Sequence, residues 1–141
     1  AKALELAQIE ANKENKRLTI LRDKLIEGLL KKIPQAKLNG HPTKRLANNV
    51  NIVIPEINAQ ELLLHLNEAG IFVSSGSACK TGIEKPSQIL LAIGLPAHHV
   101  HSSLRITLGK KTTEKDLNYV IETLPKITEK LEQHSGFKKI S

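Results

Sequence analysis

The chain has 141 residues, 40% of them hydrophobic and 25% charged, with a net charge of +7, a balance that fits one packed domain and excludes a disordered chain. Its single cysteine excludes an internal disulfide and a paired-cysteine zinc site, and no apolar run approaches the ~20 residues of a membrane span. Phe72, Tyr119 and Phe137 are the only aromatic residues, too few for a base-stacking surface, so the positive charge reads as a solvated basic surface and not as a nucleic-acid site.

Residues 1–33 are expected to form one long helix or two nearly continuous ones. Leu4, Leu6 and Ile9 lead into Leu18, Leu21, Leu25 and Leu29 at three- and four-residue steps, with Lys16, Arg22 and Lys24 on a solvated face. Pro34 ends the run, because the residue before a proline is driven out of the helical region. The start lacks Met, carries no leader pattern and falls inside a helix, which points to a segment cut from a longer chain.

Residues 34–48 are rich in turn formers, with a short strand possible at Lys37 to Asn39. Asn49 to Ile54 then alternates as a half-buried strand, Val50, Ile52 and Ile54 facing one way and Asn49, Asn51 and Val53 the other. Asn58 followed by Glu61 has the form of a helix N-cap. Leu62, Leu63 and Leu66 give that helix its apolar face, and Gly70 its stop. Ile71-Phe72-Val73 reads as a short β-type run, and the Ser- and Gly-rich stretch after it as a loop.

Pro86 suits the first turn of a short helix through Ile89, Leu90 and Ile93 to Gly94, and Leu95 to His101 holds a further turn. Leu104 to Leu108 alternates as a second strand, ended by Gly109. Thr112 or Thr113 caps a last helix with Leu117, Val120, Ile121, Leu124, Ile127 and Leu131 on one face, kinked at Pro125. Residues 135–141 are expected to fray. This order predicts an α+β or α/β layer domain, a small sheet with helices packed on it.

Two residues stand out chemically. Cys79 lies among Ser, Gly, Ala, Lys and Thr, a composition that belongs on the surface. Lys80 beside it favours the nucleophilic thiolate; the competing reading is an incidental surface thiol. Arg105 shares a strand face with Thr107, opposite Leu104, Ile106 and Leu108. It is either a solvent-facing arginine or a carboxylate clamp, since a guanidinium presents a fork that matches two carboxylate oxygens. His98, His99 and His101 are clustered without a further ligand at a useful spacing, which favours surface or capping histidines over a metal site.

The run Ser74-Ser75-Gly76-Ser77-Ala78-Cys79 resembles the cysteine loop of the NifS/IscS-like cysteine desulfurases. Glu84 to Ser87 with Ile89 to Leu95, His101 to Gly109, Thr112 to Val120, and upstream Leu38 to Pro42 and Arg45 to Asn51 are similar to further segments of that family. The resemblance implies the small C-terminal domain of a fold type I pyridoxal-phosphate enzyme. Residues 1–33 would be the connecting helix, residues 34–134 the small domain with a mainly antiparallel sheet and a cysteine loop over 74–87, and the large cofactor domain would be absent.

The resemblance also implies an activity: L-cysteine is converted to L-alanine and a persulfide on Cys79, for iron–sulfur assembly and sulfur transfer. Arg105 would hold the substrate carboxylate. Ser75, Gly76, Ser77, Ala78, Lys80 and Gly82 would form a mobile arm that carries the thiol to an iron–sulfur scaffold or other acceptor protein. The full-length enzyme would be a cytoplasmic homodimer using pyridoxal phosphate bound through a lysine outside this chain, so the fragment alone is expected to be inactive. A stand-alone sulfur carrier using Cys79 without cofactor, and a class-V relative acting on another amino acid, are the competing functions.

Overall fold

The computed structural model describes residues 2–75 and 87–134. Helix α1 (Lys2–Lys32) is followed by β1 (Lys37–Leu38), β2 (Asn49–Val53), α2 (Ala59–Glu68) and β3 (Ser74–Ser75). Then come α3 (Gln88–Ala92), α4 (Ala97–Val100), β4 (Ser103–Thr107) and α5 (Glu114–His134). The strands form one sheet in the order β1-β2-β4-β3, and every pairing is antiparallel, as expected for an α+β domain.

Alternation in β2 and β4 decides which side is covered. Val50, Ile52, Leu104 and Ile106 are buried in one cluster with Leu25 and Leu29 of α1, Leu62 and Leu66 of α2, and Leu117 and Leu124 of α5. Helices α1 and α5 come close at Gly28, where an added Cβ would lie 2.6 Å from Ile121 Cδ1. Contacts between Lys24 and Glu114, and between Lys32 and Glu122 (2.5 Å), flank the pair. Asn58 caps α2 by accepting from the Gln60 and Glu61 amides. After that helix Gly70 turns at φ +75°, a conformation costly for residues with a Cβ. Thr113 starts α5, with its amide and hydroxyl both donating to Asp116 Oδ2 (2.8 and 2.7 Å). That helix runs through Pro125 as one element.

Five sequence expectations need correction. Leu4, Leu6 and Ile9 are exposed, so only the second half of α1 carries the buried stripe. Arg22 is not solvated but 3% exposed, because its side chain reaches backbone carbonyls of the segment before β2. The run Ile71-Phe72-Val73 is not a strand, and Phe72 is 82% exposed. The strand falls one step later. Ser74 pairs with Arg105 and Ser75 with Leu104, so Ser75, expected in the loop, is a buried strand residue; backbone pairing to β4 outweighs the loop-like composition. Val53 is also buried, although it falls on the outward parity of β2.

Candidate functional site

The face of the sheet turned away from α1 and α5 is polar. Cross-strand partners put Asn51, Arg105 and Ser74 in one row across β2, β4 and β3, with their side chains on one face. Asn39, just past β1, extends the row: its amide N–H donates to the Asn51 carbonyl (2.9 Å), and its Nδ2 donates to Asn51 Oδ1 (2.7 Å). The period-two reading of β4 thus places Arg105 correctly, on the exposed side with Thr107. Among the described residues the Arg105 guanidinium has no hydrogen-bond or ion-pair partner.

Arg105 lines a cleft of about 470 Å³ between this row and the segment before β2. Arg45, Lys44 and His41 wall one side, and Leu46, Ile89 and Ile93 supply exposed apolar rims. No Asp or Glu among the described residues lines it. A concave, cation-lined site whose guanidinium has no partner among the described residues is suited to an anion, and to a carboxylate in particular by the fork geometry.

Arg45 is held in place by carbonyls: its Nε donates to His41 O (2.8 Å), Nη2 to Asn39 O (2.6 Å) and Nη1 to Asn49 O (3.5 Å). Burial, and then the neighbouring charge of Arg22, pull the Arg45 guanidinium below its ordinary pKa, partly offset by Asp23. His41 stays in the wall as an acceptor, its Nδ1 taking the Thr43 and Lys44 amides (3.1 and 2.9 Å).

Cys79, Gly76, Ser77, Ala78, Lys80 and Gly82 lie outside the described residues, as does the tail from residue 135. Of the two anchors of the cysteine segment, Ser87 lines the cleft, while Ser75 is buried on the inner parity opposite Leu104. Ser75 ends the strand beside Arg105. Ser87, which resumes the chain, lines the cleft and caps α3 by accepting the Leu90 amide (3.5 Å). His98, His99 and His101 do not line this cleft; the His98 and His99 rings lie 4.1 Å apart. No group of three metal-binding side chains is gathered among the described residues.

Residues 1–120 match the family model of the class-V aminotransferases. The chain belongs to the class-V aminotransferase family. Among members of the family, the chain is 50% identical to the cysteine desulfurase IscS of Methanosarcina thermophila over 134 residues, 95% of this chain but 33% of that protein. A NifS-like protein of known structure superposes with a TM-score of 0.78 at 26% identity, over 92% of this chain and 32% of its own. The PLP form of a putative sugar aminotransferase, Spr1654 from Streptococcus pneumoniae, shares the fold at 17% identity and a TM-score of 0.54, over 82% of this chain and 32% of its own. The chain therefore spans about a third of the length of the curated relatives it matches.

Sequence reasoning had singled out Arg105 but not Arg22, Arg45 or the Asn39–Asn51 pair. The outward parity of Asn49 and Asn51 in β2 was a usable signal, since two amides on the same face as Arg105 mark a polar surface. Arg22 offered none: its burial depends on a partner segment more than twenty residues away.

Proposed function

We propose that this chain is the part of a cysteine desulfurase that holds the carboxylate of L-cysteine at Arg105 and receives its sulfur on Cys79. One observation carries the reading. An arginine without a partner among the described residues lines a cation-rich cleft on the open sheet face, and the strand paired beside it runs directly into the segment that bears the only cysteine. Cys79 is four residues past Ser75, and an extended chain covers at most ~3.6 Å per residue, so the chain can carry the Cys79 Cα no more than about 14 Å from the strand end.

The chemistry asks three things of these residues. Arg105 fixes the substrate through its carboxylate, which sets the direction of the reacting sulfur. The Asn51 Nδ2 donors, which have no partner among the described residues, stand in the same row and can add to that hold. The Cys79 thiolate then attacks the substrate sulfur: an S–S bond forms and the substrate C–S bond breaks. The electron pair stays with the substrate carbon, and protonation there yields L-alanine.

Pyridoxal phosphate, when bound, supplies the electron sink for that carbon. The described residues do not complete a site for it. The cleft offers no carboxylate to meet a pyridinium nitrogen, and its lysine, Lys44, is exposed. We assign the cofactor's holding groups to the two-thirds of the relatives' length that this chain does not span. The large domain would lie there, with residues 34–134 as the small domain and residues 1–33 leading into it.

The persulfide would pass to an iron–sulfur scaffold or other acceptor protein. A homodimeric full-length protein in a reducing cytosol fits an unpaired reactive thiol; no described helix is long and apolar enough to cross a membrane. The stand-alone carrier reading gains nothing from relatives three times as long.

The test uses the full-length protein that contains this chain. Arg105→Ala removes a charged hydrogen-bond pair of about 1.5–3 kcal/mol, so KM for L-cysteine is expected to rise by tenfold or more, at about 1.4 kcal/mol per tenfold. An unchanged KM in a folded variant would remove Arg105 from the site.

A further inference from the structure

The mechanism above leaves one buried cation unused. Arg22 sits on α1 with its side chain 4% exposed. It reaches across to the segment before β2, where Nη1 donates to the carbonyls of Leu46 (3.1 Å) and Arg45 (3.4 Å), while Nε donates to Asp23 Oδ1 (2.9 Å). A buried guanidinium is costly unless its donors are taken: here Nε and Nη2 go to Asp23 (2.9 and 2.8 Å), and Nη1 goes to the backbone of the two residues whose side chains line the Arg105 cleft. Arg45 repeats the device one layer outward, gathering the carbonyls of Asn39, His41 and Asn49. The two arginines thus form a chain of contacts from the core helix through the cleft wall to the Asn39–Asn51 end of the polar row.

We infer that Arg22 is a positioning residue for the substrate cleft: it ties the Arg45–Leu46 wall to α1 and so fixes the opening into which Arg105 receives its carboxylate. The inference rests on the reading of that cleft as the carboxylate site. Arg22 touches neither the cleft space nor substrate, so it acts through Arg45 and Leu46 alone. Loss of Nη1 removes the side-chain donor from the Arg45 carbonyl and leaves the Leu46 carbonyl with the Asn49 amide alone (3.3 Å), which releases the wall from α1. A displaced wall weakens binding in the ground state and transition state alike, which raises KM and leaves kcat near its original value.

The experiment compares Arg22→Ala, Arg22→Lys and Arg105→Ala in the full-length protein with L-cysteine as substrate. Arg22→Ala is expected to raise KM about tenfold with kcat within about twofold, inside the ~100-fold that a small misplacement can cost. Arg22→Lys, whose ammonium donor reaches to within one bond of the Nη1 position, is expected to recover part of that loss, and it carries the test should the alanine variant fail to fold. A second signature is non-additivity: with Arg105 already replaced, the Arg22 change should raise KM much less. A lower melting temperature with KM unmoved in both Arg22 variants would overturn the inference and make Arg22 a stabilising residue only. If Arg105→Ala itself leaves KM unmoved, the failure belongs to the reading of the cleft. If Arg105→Ala raises KM and the Arg22 variants do not, only the positioning role fails.

Discussion

The two faces of β4 meet different surroundings. Leu104 and Ile106 point into the cluster formed with α1, α2 and α5, at 0% and 4% exposure. Arg105 and Thr107, one residue away in each direction, face the open side. The inner residues are close-packed and hold the sheet to its helices. The outer arginine sits among amides and cations in a cleft that no described acid neutralises. A single five-residue strand therefore carries stability on one parity and, in the proposed function, ligand chemistry on the other, and the fold presents Arg105 on a rigid support.

That contrast can be broken at either parity. The largest effect on folding is expected from Leu104→Ala, which should cost about 2–5 kcal/mol of stability by lost burial and an unfilled cavity. Thr107→Ala on the outer face should stay within about 0.5 kcal/mol. Denaturant unfolding of the chain measures both, and equal costs would mean that the two faces are not differentiated as described.

A smaller effect separates the charged edges from the core. Glu114 is held below the usual carboxylate range by Lys24, Glu122 by Lys32, and Asp116 by the Thr113 hydroxyl and amide. A carboxyl group whose folded pKa is depressed stabilises the fold above its unfolded pKa, and that contribution disappears as pH falls through the lower, folded value. The melting temperature should therefore fall as the pH drops below the ordinary carboxylate values of about 4. Added salt should reduce the part due to the exposed lysine pairs. A melting temperature that is flat or rising over that range would contradict the assignment.

Much of the inner face was legible in the sequence. Val50, Ile52, Leu104 and Ile106 follow a period of two, and Leu117, Ile121, Leu124 and Leu131 a helical one; Asn58 and Thr113 mark helix starts by their side-chain chemistry. The outer face was legible only in part, because its features come from long-range pairing. Two serines become a strand because β4 offers them a partner. Val53 is buried at an outward position, at the end of the sheet where Ser103 and Val100 are also enclosed. Arg22 looks like any solvated helix cation until the Arg45–Leu46 backbone is folded against it.

The central claim is that the cleft beside Arg105 serves a sulfur transfer to Cys79. The most direct measurement is peptide mass spectrometry of the full-length protein after reaction with L-cysteine and alkylation under non-reducing conditions. One additional sulfur is expected on the peptide containing Cys79, lost in Cys79→Ala and reduced in Arg105→Ala at subsaturating cysteine. L-Alanine formed at the normal rate by Cys79→Ala, with no extra sulfur ever found on that peptide of the unaltered protein, would contradict it.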